Sequence, residues 1–422
     1  MGNFNAKFTD DGSIGLFSDV YNDIYHSRFG ALSEAYEKFI LPAGFSEFLN
    51  KNSEIKILDI CYGIGYNTKS FLNYYFNNFY KKNLNSNFQK KFFSTKFIKH
   101  INSIYTDNIY ALKNKKNSIN QKNHKIILHA VELDENLVKL SPFIKNPKFC
   151  LKTLGKNNLF SGLNKKDCNK FYIREEINHI ILLKLLEQYK SDFFNKEIDE
   201  ILTDKANKKF FSQKMVNLAK NHACGEYDLS YLGRLNALLH NIYYKYISNS
   251  YKNAQKTLKN GFFDIDLYNQ DARRFIKNSN MKYDFIFLDA FSPDKAPNLW
   301  TFEFFTELYK HLSDDGIILT YSNSTAVRNA FYKNKFYVGK IYNKYENRFT
   351  GTIASKNIEL IKYPLDDFET GLLNTKSAIC YHDNSDLTLE NSAILENRQN
   401  EVNVSNLIST SHYKKEYKCH TM

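Results

Sequence analysis

The stretch that decides the fold is IKILDICYGIGYN, residues 55–67. Its first half is a short apolar run, which is typical of a parallel strand buried on both faces. Asp59 lies at the carboxyl end of this run, and Gly63 and Gly65 follow it. Glycines let the backbone approach a ligand closely, and a helix predicted over 68–77 would begin at the same place. Open α/β sheets bind small molecules at this position, just beyond the strand ends.

Two classes of ligand fit a glycine-rich turn between a strand and a helix. A dinucleotide fold would bring the turn to a pyrophosphate, usually through the pattern G-x-G-x-x-G. Here the order is D-x-C-x-G-x-G, and a carboxylate before the turn would repel a pyrophosphate. The same carboxylate suits the ammonium and hydroxyl groups of S-adenosylmethionine. An ordinary turn, whose glycines only allow tight packing, is the third interpretation.

The composition indicates a large core and an excess of positive charge. Of the 422 residues, 43% are apolar and 16% are aromatic, which allows one large decorated domain or two smaller ones. The formal net charge of +13 favours a polyanionic partner, although a genome bias toward Lys and Asn gives the same excess.

The sequence also bounds the compartment. There is no run of eighteen apolar residues, and residues 1–11 are polar, so we expect neither a membrane span nor a signal peptide. The six cysteines are scattered without a C-x-x-C pair. We therefore expect a reduced, cytoplasmic environment and no metal site.

Apolar runs alternate with helical patterns along the rest of the chain. Runs at 126–132, 262–268, 283–289 and 316–322 predict four more strands, the last of them after an Asp-Asp-Gly turn, and 335–342 with 350–356 predicts a closing hairpin. Strands that alternate with helices indicate a doubly wound, mostly parallel α/β sheet with right-handed crossovers.

Acidic residues recur at the ends of these predicted strands. Glu132, Asp271 and Asp289 follow the second, third and fourth strands, as Asp59 does the first. Four carboxylates at one edge of a sheet are costly unless something uses them, which favours a cofactor site over an ordinary turn. Because an acid after the second strand can bind ribose hydroxyls, Glu132 is the candidate for that role, with Asp134 as its alternative.

Two long segments interrupt the pattern of strands. Residues 76–125 contain eleven lysines and one acidic residue, Asp107, interleaved with aromatic residues. Such a basic surface suits RNA, while a solvated, loop-rich insertion is the alternative. Residues 150–258 look helical and suggest an inserted helical subdomain, to which the sequence assigns no chemistry.

The segment before the first strand, 1–50, is predicted to form a cap or lid. Its DDGS cluster at 10–13 is a turn signal. Residues 31–40 predict an amphipathic helix that is stopped by Pro42. His26, in the tripeptide Tyr-His-Ser at 25–27, would lie over a cofactor if this segment is a lid; an incidental histidine in a capping segment is the alternative.

These motifs together resemble those of MnmC-like tRNA methyltransferases. The residues that carry the resemblance are D-x-C-x-G-x-G-x-N at 59–67, D-A-R at 271–273, F-L-D-A-F-S-P at 287–293 with Trp300 and Thr301, and G-T-I-A-S-K at 351–356. The DGS at 11–13, the YHS at 25–27, the GA at 30–31 and spaced residues of 381–398 resemble the stand-alone branch of the family, which lacks the fused flavin oxidase domain. The resemblance does not cover the two insertions.

The resemblance implies a class I methyltransferase fold, Rossmann-like, over 51–362, followed by a C-terminal extension over 363–422. The family uses S-adenosylmethionine to methylate the exocyclic amine of 5-aminomethyl(-2-thio)uridine at the wobble position of tRNA. The implied partner is therefore tRNA, with a functional link to the enzyme that installs the aminomethyl group. No oxidoreductase activity is expected.

The resemblance also assigns residues by position. Asp59, Cys61, Gly63, Gly65 and Asn67 would shape the methionine end of the cofactor site. Glu132 would bind the ribose, and Asp271 with Ala272 the adenine. One departure is Cys61, which stands where the family has the first glycine of the turn; we expect a slightly tighter turn there.

Asp289 is the predicted catalytic residue, beside the methyl group and the incoming amine. A carboxylate there can orient the amine and accept its proton, whereas substrate binding alone or a loop cap is the alternative. Phe291 and Trp300 are candidates for stacking the uridine or closing the pocket, and a core role is equally open for both.

Two rival functions stay open at this point. An aminopropyltransferase of the spermidine synthase type has a related sheet and glycine turn, but it would need an additional acidic pair to hold a polyamine. A non-catalytic RNA-binding protein with a degenerate methyltransferase fold is the second rival, for which Cys61 and the insertions leave room.

Overall fold

The computed structural model describes residues 5–18, 23–25, 30–80, 124–146, 160, 168, 170–223 and 249–421. His26 lies outside the described residues, as do residues 81–123 of the predicted basic insertion. Parts of the predicted helical insertion, including 224–248, lie outside them as well.

The N-terminal segment begins with a small antiparallel sheet. Its strands are β1 (Asn5–Phe8), β2 (Ile14–Ser18) and β3 (Asp23–Tyr25), in the order β1-β2-β3. Helix α1 (Ala31–Glu34) follows and continues as a π-helix, Ala35–Ile40. The predicted helix over 31–40 is thus present, but its last six residues have the wider π geometry.

A seven-stranded sheet forms the centre of the molecule. Its strands are β4 (Glu54–Ile60), β5 (Lys125–Glu132), β6 (Phe263–Asn269), β7 (Tyr283–Leu288), β8 (Leu312–Thr320), β9 (Tyr337–Asn343) and β10 (Arg348–Ser355). The spatial order is β6-β5-β4-β7-β8-β10-β9. Strands β4 to β8 pair in parallel, and β10 is antiparallel to both of its neighbours.

The order of the strands reverses at β4. From this central strand the chain moves outward through β5 and β6, then returns to the other side of β4 as β7. Asp59 of β4 lies between Ala130 of β5 and Phe287 of β7 in the register. In doubly wound sheets, ligands bind in the crevice at such a switch point, outside the carboxyl ends of the strands.

Helices cover both faces of this sheet. After α1 they are α2 (Phe45–Lys51), α3 (Tyr66–Asn78), α4 (Glu135–Leu140), α5 (Glu175–Tyr189), α6 (Lys196–Thr203), α7 (Gln213–Ala223), α8 (Asn249–Lys259), α9 (Ala272–Asn278), α10 (Phe302–His311), α11 (Thr325–Lys333), α12 (Asp367–Leu372), α13 (Asn391–Val404) and α14 (Thr410–Thr421). In the described part of the chain, no helix is long and apolar enough to cross a membrane.

Two hydrophobic clusters form the core, one on each face of the sheet. On one face, the π-helix and α2 pack on β7, with the ring of Phe39 5.7 Å from that of Phe287 and the ring of Phe45 4.5 Å from that of Phe285. On the other face, Phe305 of α10 stacks on Phe331 of α11 at 4.1 Å. The described helices α5 to α8 belong to the first cluster, together with β4 and β5.

Candidate active site

Asp59 places a buried carboxyl group at the switch point. Its Oδ2 accepts hydrogen bonds from the backbone N–H of Thr68 (3.1 Å) and from the Thr68 hydroxyl (2.6 Å). Its Oδ1 is buried and has no hydrogen-bond partner among the described residues. Burial raises the pKa of Asp59 to about 7, and the charge of Asp289 adds to this, against the hydrogen bonds from Thr68.

The glycine turn after β4 uses left-handed backbone conformations at three positions. The φ angles are 65° at Cys61, 56° at Gly63 and 82° at Gly65. A Cβ on Gly65 would lie 2.3 Å from the Tyr62 ring, so only glycine fits there. The amides of Cys61 and Tyr62 both donate to the carbonyl of Val131 (3.0 Å each), which ties the turn to β5.

All four strand-end carboxylates surround this turn. Burial raises the pKa of the Cys61 thiol, and the charges of Glu132, Asp289, Asp59 and Asp271 each raise it further. All four carboxylates therefore lie close enough to Cys61 for their charges to act on its thiol. The structure therefore brings together the acids that the sequence placed at the ends of separate strands.

Glu132 fixes the glycine turn as well as ending β5. Its Oε2 accepts from the Gly63 amide (2.8 Å), and its Oε1 accepts from the amides of Leu133 (2.9 Å) and Asp134 (3.0 Å). Burial raises the pKa of Glu132. The alternative residue, Asp134, is the N-cap of α4 and accepts from the Asn136 amide (2.9 Å).

Asp271 connects the end of β6 to the C-terminal extension. It is the N-cap of α9 and pairs with Arg273, with 2.8 Å between Oδ2 and Nη2. Nη1 of Arg273 also pairs with the fully buried Asp383 (2.9 Å) and donates to the Leu389 carbonyl (3.0 Å). The side chain of Ala272 is buried beside this network. The adenine role of Asp271 and Ala272 stays a prediction.

Asp289 follows β7 directly. Its Oδ2 accepts a hydrogen bond from Nδ2 of Asn67 (2.8 Å), the second residue of α3. The Oδ1 atom of Asn67 is buried and lacks a hydrogen-bond partner in the described part of the chain. Burial and the charge of Glu34 raise the pKa of Asp289 to about 7, while Asn67 and Lys38 oppose the rise.

Glu34 and Lys38 are functional candidates that the sequence reasoning missed. They form an ion pair from α1 to the π-helix, with side chains that are 10% and 16% exposed. The Lys38 ammonium lies 5.5 Å from the centre of the Tyr321 ring, and the Tyr321 hydroxyl donates to the carbonyl of Ala290, next to Asp289 (2.9 Å). A Glu and a Lys four residues apart are typical of an exposed helix face. The sequence therefore gives no sign that Glu34 and Lys38 differ from an ordinary surface pair, and only the structure shows that they lie near Asp289.

The predicted substrate residues have different fates. His26 lies outside the described residues. Phe291 is partly exposed on the loop after β7. Trp300 is fully buried in the second core cluster, where its Nε1 donates to the Phe291 carbonyl (2.7 Å). This burial agrees with the core role that the sequence left open for Trp300, and its hydrogen bond holds the Phe291 loop; its role toward the substrate stays a prediction.

The acceptor atoms fit S-adenosylmethionine. Two buried oxygens, Oδ1 of Asp59 and Oδ1 of Asn67, have no hydrogen-bond partner in the part of the chain that the structure describes, and the ammonium of its methionine end would supply donors for such acceptors. A buried polar atom without a partner costs free energy, which a donor from a ligand would recover.

Comparison with known proteins supports this interpretation. Residues 234–357 match the model of a family of S-adenosyl-L-methionine-dependent methyltransferases. S-adenosylmethionine, the cofactor predicted from the glycine turn and the acids, is the cofactor of that family.

Curated relatives match parts of the chain. An uncharacterized protein of Methanocaldococcus jannaschii is 32% identical over 33% of this chain and 39% of its own length. Polyamine aminopropyltransferase 2 of Aquifex aeolicus is 31% identical over 22% of this chain and 19% of its own length. The tRNA 5-methylaminomethyl-2-thiouridine biosynthesis bifunctional protein MnmC of Campylobacter fetus subsp. fetus is 31% identical over 24% and 17%. The chain thus spans well under half the length of these relatives.

A solved structure confirms the fold. The crystal structure of MnmC2 from Aquifex aeolicus superposes with a TM-score of 0.53 at 21% identity, covering 96% of this chain and 86% of that chain. Together with the strand order, this confirms the predicted class I, Rossmann-like α/β fold.

Proposed function

We propose that this chain transfers a methyl group from S-adenosylmethionine to the exocyclic amine of 5-aminomethyl(-2-thio)uridine at the wobble position of tRNA. The product is 5-methylaminomethyl(-2-thio)uridine. The observation that carries the proposal is the half-buried Asp289 at the switch point, held by Asn67 near two acceptor atoms that have no hydrogen-bond partner among the described residues. The methyltransferase family match and the name of the Campylobacter relative agree with it.

The residues around the glycine turn would hold the cofactor. Asp59 and Asn67 would accept hydrogen bonds from its ammonium, Glu132 from its ribose, and Asp271 with Ala272 would meet the adenine. When bound, S-adenosylmethionine supplies a sulfonium methyl group, so that an N–C bond forms as the C–S bond breaks and the bonding electron pair stays with sulfur.

Asp289 would prepare the nucleophile. A primary alkylamine is largely protonated at neutral pH, and only the neutral amine has a lone pair to donate. A carboxylate whose pKa lies at about 7 is matched to accept that proton near neutral pH. The hydrogen bond from Asn67 fixes the orientation of the carboxylate, and so of the amine that it receives. The accepted proton then passes to solvent.

The variant Asp289→Asn tests this role. It keeps the shape of the side chain and removes its basicity. We expect methyl transfer to tRNA that carries 5-aminomethyluridine to fall by a factor of about 10²–10⁴, with cofactor affinity largely unchanged. Transfer is measured by mass spectrometry of the digested nucleosides, and affinity by calorimetric titration.

The matched control is Asp294→Asn, in the same loop, where the carboxylate accepts from the Tyr381 hydroxyl (3.1 Å). This control should keep wild-type turnover. Wild-type turnover in Asp289→Asn removes Asp289 from the mechanism. A wild-type protein that binds the cofactor but never methylates 5-aminomethyluridine rejects the proposed substrate, and absence of cofactor binding favours the degenerate RNA-binding protein.

Aminopropyl transfer is the second candidate, because Glu34 adds a buried carboxylate close to Asp289 and one relative is an aminopropyltransferase. Lys38 already neutralises Glu34, however, so Glu34 and Asp289 do not form the additional acidic pair that a polyamine requires. We expect no spermidine from decarboxylated S-adenosylmethionine and putrescine. Formation of spermidine at a rate above methyl transfer would reverse the order of the two candidates.

A further inference from the structure

The N-terminal helix forms one wall of the candidate site. The ring of Phe39 packs edge-on against that of Phe287, two residues before Asp289. At its other side, Oε2 of Glu37 accepts from Nδ2 of Asn343, at the end of β9 (2.6 Å). Contacts with two strands of the central sheet therefore fix the position of this helix relative to Asp289.

The small N-terminal sheet holds the start of the same helix. The Ser13 hydroxyl accepts from the Ala31 amide (2.9 Å), and Oδ2 of Asp11 accepts from the Ser33 amide (2.8 Å). A Cβ on Gly30 would lie 2.4 Å from the Asp11 carboxyl group, so the helix can approach this closely only with glycine there. The D-G-S motif at 11–13 thus determines where Glu34 and Lys38 are placed.

The π-helix completes this placement. The Leu41 amide donates to the Tyr36 carbonyl (2.8 Å), five residues back, so the turn that carries Lys38 is wider than an α-helical turn. Wide turns of this kind occur frequently at functional sites. A largely buried ion pair, one partner of which lies on such a turn, is costly to form, and that cost points to a use for its charges.

We propose that Glu34 and Lys38 form a positioning ion pair whose opposed charges keep the Asp289 carboxylate ready to accept a proton from the substrate amine. This inference rests on the proposed role of Asp289. The pair makes the N-terminal segment part of the active site rather than only its cover. Neither residue has to touch the substrate, because each acts through Asp289.

The charges around Asp289 agree with this role. Burial and Glu34 raise the pKa of Asp289, while Lys38 lowers it. The charge of Asp289 also acts on Asp59 in β4 and on Cys61 in the turn that follows it. Tyr321 lies between Lys38 and the Ala290 carbonyl, and Glu346 of the β9–β10 turn adds to the negative charge near Lys38. Of these neighbours, Lys38 is the cation that favours ionised Asp289.

Two single variants should shift the titration of Asp289 in opposite directions. Glu34→Gln leaves Lys38 facing Asp289, so the pKa of Asp289 should fall by about one unit or more. Lys38→Met leaves the carboxylates of Glu34 and Asp289 as neighbours without the cation. The two should then share a proton, so the pKa of Asp289 should rise above its wild-type value. The double variant removes both charges and should titrate close to the wild type.

The titration is measured by NMR on protein with ¹³C-carboxyl-labelled Asp and Glu, and Asp289→Asn assigns the signal. This readout needs no substrate, so it separates a failure of the ion-pair inference from a failure of the proposed function. Lys340→Met is the matched control: it removes another buried, paired lysine, which contacts Asp366 and Glu369, and should not move the Asp289 signal. If Lys38→Met does not fold, Glu34→Gln alone decides.

Activity gives the second readout. The acidic limb of the pH profile of kcat/KM should move down in Glu34→Gln and up in Lys38→Met, in step with the NMR titration. Equal titrations in Glu34→Gln and the wild type overturn the inference, whatever the activity. Opposite NMR shifts without a matching change in the rate profile also overturn it, because the pair would then act on a carboxylate that the reaction does not use.

Discussion

Cys61 occupies a backbone conformation that L-amino acids rarely adopt. Its φ of 65° lies in the left-handed region, where a side chain with a Cβ costs about 1–2 kcal/mol. The sequence predicted only a slightly tighter turn at this position. In the structure, Cys61 adopts the left-handed conformation that glycine favours. Hydrogen bonds to the Val131 carbonyl and the Glu132 carboxylate hold the turn in place.

Cys61→Gly should therefore stabilise the protein. Glycine removes the left-handed strain but loses about 0.5–1 kcal/mol more chain entropy on folding, so we expect a net gain of about 0.5–1 kcal/mol in the free energy of unfolding. The measurement is denaturant unfolding. Cys61→Ala is the control, since it keeps the Cβ and should show no gain; equal stabilisation by both variants would contradict the argument.

Asp59 makes the stability of the ligand-free protein depend on pH. Its pKa is about 7 in the folded protein, above the ordinary value of 3.8, so the folded state holds the proton more tightly than the unfolded state does. Its contribution to stability is complete below about pH 4 and is lost as the pH rises through 7. The wild-type protein should lose stability as the pH rises from 5 to 8, and thermal unfolding measures this loss. In Asp59→Asn the share of the loss that comes from Asp59 should disappear. An unchanged slope in that variant would show that other groups cause the loss.

The acidic residues of the site were predictable for a simple reason. Asp59, Glu132 and Asp289 each follow a short apolar run, and parallel strands bring their carboxyl ends to one edge. Glu34 and Lys38 were not predictable, because a Glu–Lys pair on an amphipathic helix normally faces water. Burial next to Asp289 depends on how that helix packs, which no local pattern shows.

At the scale of the elements, the central strands matched the sequence within about two residues, because strands buried on both faces are continuously apolar. Strand β8 was less regular. It begins at Leu312, four residues before the predicted start, and the Asp-Asp-Gly that suggested a turn lies inside it. Tyr283 pairs with Leu312 and Phe285 with Ile317, so 313–316 bulge out of the ladder. The turn residues therefore mark a bulge.

The N-terminal helix depends on a cap that comes from another element. Asp11→Ala removes a carboxylate oxygen that accepts from the Ser33 amide and hydroxyl, and should cost about 1–2 kcal/mol of stability. It should also lower kcat, because Glu34 and Lys38 lose their fixed position. Asn195→Ala, which removes the cap of α6, is the control and should lower stability alone. Equal kcat values in the two variants would mean that the helix keeps its position without the cap.

At the scale of the whole molecule, the C-terminal extension was the least predictable part. Arg273 and Asp383 lie 110 positions apart in the sequence and form a buried ion pair. Both residues belong to motifs that the sequence analysis had noted separately. Their contact gives both motifs a structural role, because it attaches the C-terminal extension to the first turn of α9.

The lysine-rich segment gives a prediction from sequence alone. Residues 81–99 contain six lysines, which would contribute to phosphate contacts with tRNA. Replacing them with glutamine should weaken tRNA binding and flatten the dependence of log K on log salt concentration. Replacing exposed lysines of the described surface (Lys196, Lys205, Lys208 and Lys209) should change the slope less. An unchanged slope in the first variant would favour the solvated-loop interpretation for residues 81–99.

The Asp271–Arg273–Asp383 chain has a thermodynamic consequence. These ion pairs join the predicted adenine end of the site to the C-terminal segment. Binding of the cofactor should therefore stabilise the position of the C-terminal segment. Because such coupling is reciprocal, the C-terminal segment should also stabilise the bound cofactor. Saturating S-adenosylmethionine should slow tryptic cleavage within 381–421, and Arg273→Met should abolish that protection. Removal of the C-terminal segment should in turn weaken cofactor binding, so that a segment distant in the sequence controls the residence time of the cofactor.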